Sequence, residues 1–162
     1  MPDRMIVNAS PLIFLSRVGG LEWLCNLCTG RVDVVRAVIA EVAAGHDGQI
    51  IIDAIEAEQR VCVLDDIAVP PVIGAWDLGL GETQVLGHCL GQASVIAVLD
   101  DAAARQCARS LGIPVVGSLG VVLAAKRMGW IASARPVVER LLADGLYLRP
   151  SLVAEALAEI GE

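Results

Sequence analysis

One amide and four carboxylates punctuate this sequence at points where a folded chain could gather them. They are Asn8 after "MIV", Glu41 in "AVIAEV", Glu82 in "GLGETQVL", and Asp100 with Asp101 after "SVIAVL". Carboxylates brought to one place raise one another's pKa unless a cation neutralises them. Oxygen ligands select hard cations, here Mg2+ or Mn2+. Such a group could hold a divalent cation. Histidine is not needed for that chemistry, and His46 and His88 have no metal-ligand spacing.

Whether these residues meet depends on the elements that carry them. "MIV" reads as a strand, and "SPLIFLSRV" as a helix entered through Ser10 as cap with Pro11 in the first helical position. "LEWLCNLC" continues as helix, "RVDVV" as strand, and "RAVIAEVAAG" as a helix closed by Gly45 in the left-handed conformation. A helix over residues 48–59, the strand "VCVL" and an acidic, proline-bearing loop follow, and "PPVIGAWDL" reads as loop. Then come helix "GETQVLGHCLG", strand "SVIAVL", helix "DAAARQCARSLG", strand "IPVV" and three more helices. Strands separated by helices of this length predict an α/β protein with a central parallel sheet covered on both faces. In such sheets sites form outside the carboxyl ends of the strands, where Asn8, Asp100 and Asp101 fall.

The helical carboxylates follow from periodicity. Glu82 leads the apolar stripe Val85, Leu86, Cys89 and Leu90, so it points with the buried face. Glu41 borders Val38 and Val42 and is carried toward the core side of its helix. Each residue also has a plain structural reading: Asp101 as a helix N-cap, Glu82 as a first-turn acid suited to the dipole, Glu41 as a flank of the stripe reaching water.

Composition narrows the class. The 162 residues fit one domain. Apolar runs such as "SVIAVL" fall far short of the ~18 residues of a membrane helix, and the N-terminus shows no secretory pattern, so a cytoplasmic, non-membrane protein is expected. Five cysteines in apolar surroundings read as reduced core thiols, Cys25 and Cys28 included. The net charge of −7 is unevenly spread: residues 1–104 hold 5 Arg and 14 acids, residues 105–149 hold 7 Lys or Arg and 2 acids, and the remainder 3 acids. A basic third could face phosphates, with Lys126 and Arg127 as candidate phosphate contacts, or be scattered over solvated helices.

The blocks "IVNASPLIFLSRVGGLEWL", "AVIAEV", "DLGLGETQVL" and "AVLDDAAARQCARSLGIPVVGSLGVVLAAKRMGWI" resemble the PIN-like domains, in particular a prokaryotic PIN-related subfamily, over about residues 4–160. The resemblance implies a three-layer α/β/α sandwich and a Mg2+- or Mn2+-dependent ribonuclease, similar to VapC-type toxins. It places Asn8 where the family has its first aspartate, with Glu41, Glu82 and Asp101 on the second, third and fourth acids and Asp100 beside them as an extra ligand. Ser10 matches the hydroxyl that follows the first acid, and Ser118 is expected to approach the same edge. RNA as substrate, a homodimer and a small antitoxin partner are further implications. An amide at position 8 ligates without contributing charge, so a second reading stays open: a weak or inactive PIN-like protein kept for binding or regulation.

Overall fold

A computed structural model describes all 162 residues. The chain runs β1 (Arg4–Val7), α1 (Ala9–Ser16), α2 (Leu21–Asn26), β2 (Arg31–Val35), α3 (Arg36–Ala43), α4 (Gly48–Ala57), β3 (Val61–Leu64), α5 (Pro71–Gly74) and α6 (Leu80–Cys89). It continues with β4 (Val95–Val98), α7 (Ala102–Ser110), β5 (Val115–Val116), α8 (Ser118–Arg127), α9 (Arg135–Ala143) and α10 (Pro150–Ala158). All five strands are parallel, in the order β3-β2-β1-β4-β5, and the helices complete an α/β/α sandwich. Strands β1, β2 and β4 are buried almost throughout, whereas β3 and β5 form the half-exposed edges. Near-continuous apolar strands are what a sheet covered on both faces requires.

Strand order decides where chemistry can sit. The chain winds outward from β1 through β2 to β3, then crosses back to β4 on the other side of β1 and on to β5. The order therefore reverses between β1 and β4, and the crevice beyond their carboxyl ends is the switch point at which open parallel sheets bind ligands. Asn8 directly follows β1, and Asp100 and Asp101 follow β4.

Three local expectations change. Helix α1 begins at Ala9 with Asn8 as its N-cap, so Ser10 is not the cap and Pro11 sits in the third helical position. The first intrahelical N–H is that of Leu12, which donates to the Asn8 carbonyl at 3.1 Å, and a proline before it loses no hydrogen bond. Gly45 does not adopt the left-handed conformation. The glycine the α3–α4 corner requires is Gly48, where a Cβ would stand 2.2 Å from the Val42 carbonyl oxygen. Within "PPVIGAWDL" the chain forms the single turn α5, started by Pro71 in its first position, where a missing N–H does no harm.

No helix is long and apolar enough to cross a membrane. All five cysteines are free thiols. Cys25, Cys28, Cys89 and Cys107 are buried, and burial pushes the Cys25 and Cys89 thiols up to about 11 and about 12. They are packing residues rather than nucleophiles.

Candidate metal centre

Asn8 is held before its side chain is considered. Its N–H donates to the Val98 carbonyl at 3.1 Å, extending the β1–β4 ladder past the last strand residue and fixing the side chain at the switch point. The side chain is 3% exposed. Its Nδ2 faces Glu82 Oε1 at 3.5 Å, a long contact, while Oδ1 is buried with no hydrogen-bond partner. An orphaned buried acceptor is uncommon and calls for an explanation.

Glu82 occupies the third position of α6. Its Oε2 accepts from the Gly79 N–H at 2.9 Å, half of a capping box in which Gly79 replaces the usual hydroxyl residue. Burial raises its carboxyl above the ordinary value. The Gly79 N–H opposes the rise, the charges of Asp101 and Glu41 add to it, and the Asn8 amide opposes it. Three carboxylates thus share one field with no lysine or arginine among them.

Glu41 differs from its expected orientation. The residue is exposed rather than turned to the core, and its Oε1 accepts from the Gly81 N–H at 3.0 Å. The unpaired N–H groups at the start of α6 attract it there. Gly81 has no side chain for a spatial reason: a Cβ would stand 2.7 Å from Glu41 Oε1 and 2.9 Å from Asn8 Oδ1. Two oxygens from different elements therefore converge on one small space.

Beyond β4, the two aspartates divide their work. Asp101 caps α7, its Oδ2 accepting from the Ala104 N–H at 2.9 Å. Asp100 binds the start of α8, with Oδ1 accepting from the Ser118 N–H at 2.7 Å and Oδ2 from the Ser118 hydroxyl at 2.6 Å. Asp100 is thereby satisfied by protein donors and Ser118 is fully buried, so these two anchor the α8 corner at this edge. Ser10 lies half-buried in the second position of α1.

Lys126 and Arg127 sit at the opposite end of α8 from Ser118, about 12 Å away at 1.5 Å per residue. Lys126 Nζ lies 3.3 Å from Glu162 Oε1 and donates to the Ala132 carbonyl, while Arg127 pairs with Glu159 at 3.3 Å. The basic segment is not brought to the carboxylates as a body. Two ionisable groups escape sequence reasoning. Arg105, one helical turn past Asp101, reaches back to donate to the Leu99 carbonyl at 2.9 Å. Asp33, fully buried in β2, lies 3.2 Å from Arg4 Nε and 2.7 Å from Arg31 Nε, close enough for charge pairing but too poorly aligned for hydrogen bonds. Only the register that sets Arg4 beside Arg31 makes that cluster visible.

No three histidine, cysteine, aspartate or glutamate side chains draw close enough to hold a metal ion by themselves. The donor chemistry nevertheless fits a hard cation: all the candidates offer oxygen, Asn8 Oδ1 lacks a partner, and glycine keeps the space beside it open.

The PIN domain family profile matches residues 4–162, and the chain belongs to that family. The PIN domain endonuclease Utp24 has a similar structure, with a TM-score of 0.52 and 16% identity over 72% of this chain and 85% of that one. At that identity the likeness is one of fold. A search of curated proteins finds no match.

Proposed function

We propose that this protein is a nuclease of the PIN type, an endoribonuclease that hydrolyses RNA phosphodiesters with Mg2+ or Mn2+. The observation that carries the reading is the orphaned Asn8 Oδ1 at the switch point, beside a Glu82 carboxyl raised by burial and by its acidic neighbours. Glu41, Glu82 and Asp101 are the residues that would hold the cation, joined by the Asn8 amide oxygen, while Asp100, both of whose oxygens accept from Ser118, would serve as a ligand only through a remaining lone pair. A bound ion would acidify the attacking water and offset charge at the leaving oxygen. The chain's own part is positional. Gly79 and Gly81 N–H groups orient Glu82 and Glu41, the Ala104 N–H orients Asp101, and burial of Asn8 keeps its oxygen facing the open space. Ser10 lies next to this edge as a candidate substrate contact.

The reading extends to a toxin of a toxin–antitoxin pair, acting in the cytoplasm as a homodimer and restrained by a small antitoxin. A cleft of about 350 Å³ between α3, α4 and β3, lined by Ile39, Ile52, Ile55 and Val63, supports a protein partner. The second reading, a PIN-like binding or regulatory protein with little catalysis, is favoured by one contact. Asn8 Nδ2 turns a donor toward the carboxylate that the nuclease reading turns toward a cation.

The test is cleavage of a mixed-sequence RNA by chelator-stripped protein, with and without Mn2+ or Mg2+. The nuclease reading expects metal-dependent cleavage that Glu82→Gln abolishes. Intact RNA under all conditions, with both wild type and Asn8→Asp folded, would leave the binding reading standing.

A further inference from the structure

The arginines of this chain are not equally occupied. Eight of the twelve Lys and Arg side chains form ion pairs with carboxylates. The four that do not are Arg105, Arg109, Arg135 and Arg149. Arg135 donates to the Glu162 main-chain oxygen at 2.5 Å. The other three line a single groove of about 610 Å³, bounded by α7, β5, α8 and the length of α10. Asp100, Glu155 and Glu159 line the same groove, but Asp100 accepts from Ser118 and Glu159 pairs with Arg127, so guanidinium groups outside any ion pair outnumber the uncommitted carboxylates there.

The groove's chemistry specifies the occupant. Arg105 and Arg109 lie one turn apart on α7, about 6 Å between Cβ atoms, close enough to meet neighbouring phosphates. Burial, and then the like charge of Arg109, hold the Arg105 guanidinium below its ordinary value, with Asp100 opposing. Only one Arg105 nitrogen is committed, to the Leu99 carbonyl. Arg149 lies at the start of α10, and two residues before it Tyr147 stands 85% exposed, a large ring for a solvated position. Leu152 adds an exposed apolar wall at 39%. Guanidinium forks for phosphate and an open aromatic face for a base are the paired requirements of single-stranded nucleic acid. The groove also has a definite origin, because Asp100 lines it next to Asp101 of the candidate metal centre.

We infer that this groove is the track for a single-stranded RNA segment flanking the cleavage point, with Arg105, Arg109 and Arg149 holding phosphates and Tyr147 stacking on a base. The inference rests on the nuclease reading for the identity of the strand, and it names residues that the carboxylate site does not contain. An acidic protein segment is the competing occupant. It would use the arginines but has no use for the exposed ring.

The experiment uses the full chain in excess chelator, so that binding is read without cleavage. A labelled single-stranded RNA of about 12 nucleotides, within the length one such groove holds, is titrated by anisotropy between about 50 and 200 mM salt. Arg109→Ala with Arg149→Ala should weaken binding at least tenfold and flatten the slope of log K against log salt by about 1.4, or roughly 0.7 per lost phosphate contact. Tyr147→Ala should weaken it about 5- to 100-fold, and Tyr147→Phe, which keeps the ring, should restore it. All these positions are exposed, and matching thermal melts exclude misfolding. Wild-type affinity and slope in all variants would overturn the inference. So would weak RNA binding together with arginine-dependent binding of polyglutamate. Cleavage with Mn2+ separates the two claims: an active nuclease indifferent to these residues loses the groove alone, and groove-dependent binding without cleavage loses the nuclease reading alone.

Discussion

At the start of α6, Glu82 has one backbone N–H on its carboxylate and the charges of Asp101 and Glu41 nearby. At the start of α9, Glu162 accepts from the Ser133 hydroxyl at 2.6 Å and from the N–H groups of Arg135 and Ala134 at 2.9 and 3.0 Å, with Lys126 beside it. The carboxyl of Glu82 is raised, chiefly by burial, while that of Glu162 is lowered to about 2, chiefly by the Ser133 hydroxyl and then the two N–H groups. Both side chains accept hydrogen bonds at a helix start. One is surplus to what the fold can neutralise, and the other is consumed by it. The contrast separates a candidate functional carboxylate from a structural one without reference to any relative.

The largest effect expected from this contrast is on catalysis. Glu82→Gln or Asp101→Asn should reduce metal-dependent RNA cleavage by about 100-fold or more. Glu162→Gln should leave cleavage per folded molecule unchanged. Equal losses from both would erase the distinction.

Stability should respond in the opposite sense. Glu162→Ala should lower the melting temperature at neutral pH. Because its folded pKa of about 2 is below the ordinary 4.5, its contribution is fully present above 4.5 and is lost as pH falls toward 2. The gap between variant and wild type should close over that window. For Glu82 the folded pKa is raised, so its contribution is present below 4.5 and is lost as pH climbs through the raised value. Metal-free Glu82→Gln should therefore melt at or above wild type at pH 7, and the advantage should vanish below about 4.5. Thermal melts of the three proteins from pH 3 to 7 check both signs, with ~1 pH unit steps sufficient to see them.

Smallest of all should be the effect of Lys126→Glu with Arg127→Glu on RNA affinity, about twofold or less, because both cations already have intramolecular partners. A drop comparable to that of the Arg109 and Arg149 variants would move the RNA-binding side to the far end of α8.

Much of the fold is legible in the sequence because apolar runs and helical stripes are local signals. β1, β2, β4 and their following helices fall within a few residues of their expected positions. The exceptions are local as well: one turn of helix after Pro70, a cap two positions before a better-looking serine, and a glycine selected by contact rather than by φ. The candidate site divides differently. Asn8 and Asp101 stand out because they end strands, and Asp101 is also the N-cap its position suggests. Glu41 is misjudged because its orientation is set by the N–H of Gly81, 40 residues away, and not by its own stripe. Charge counted along residues 105–149 does not record partners, and that of Lys126 is Glu162. Asp33 and the arginine groove are unreadable without the strand register and the placement of α10 along the groove that α7 and β5 also line.

The central claim is that the oxygens beyond β1 and β4 await a divalent cation, and the direct test is a melting series of wild type and Asn8→Asp across Mn2+ concentrations. Without metal the new carboxylate, placed where Asn8 Nδ2 now faces Glu82 at 3.5 Å, should destabilise by on the order of 1–4 kcal/mol. With Mn2+ at about 100 times Kd, binding to the folded state adds about 2.7 kcal/mol, and the tighter-binding Asn8→Asp should recover most or all of its deficit. Converging or crossing curves are the predicted result. Parallel curves with the same Mn2+ response in both proteins would contradict the account and leave Asn8 as a structural amide at the end of a strand.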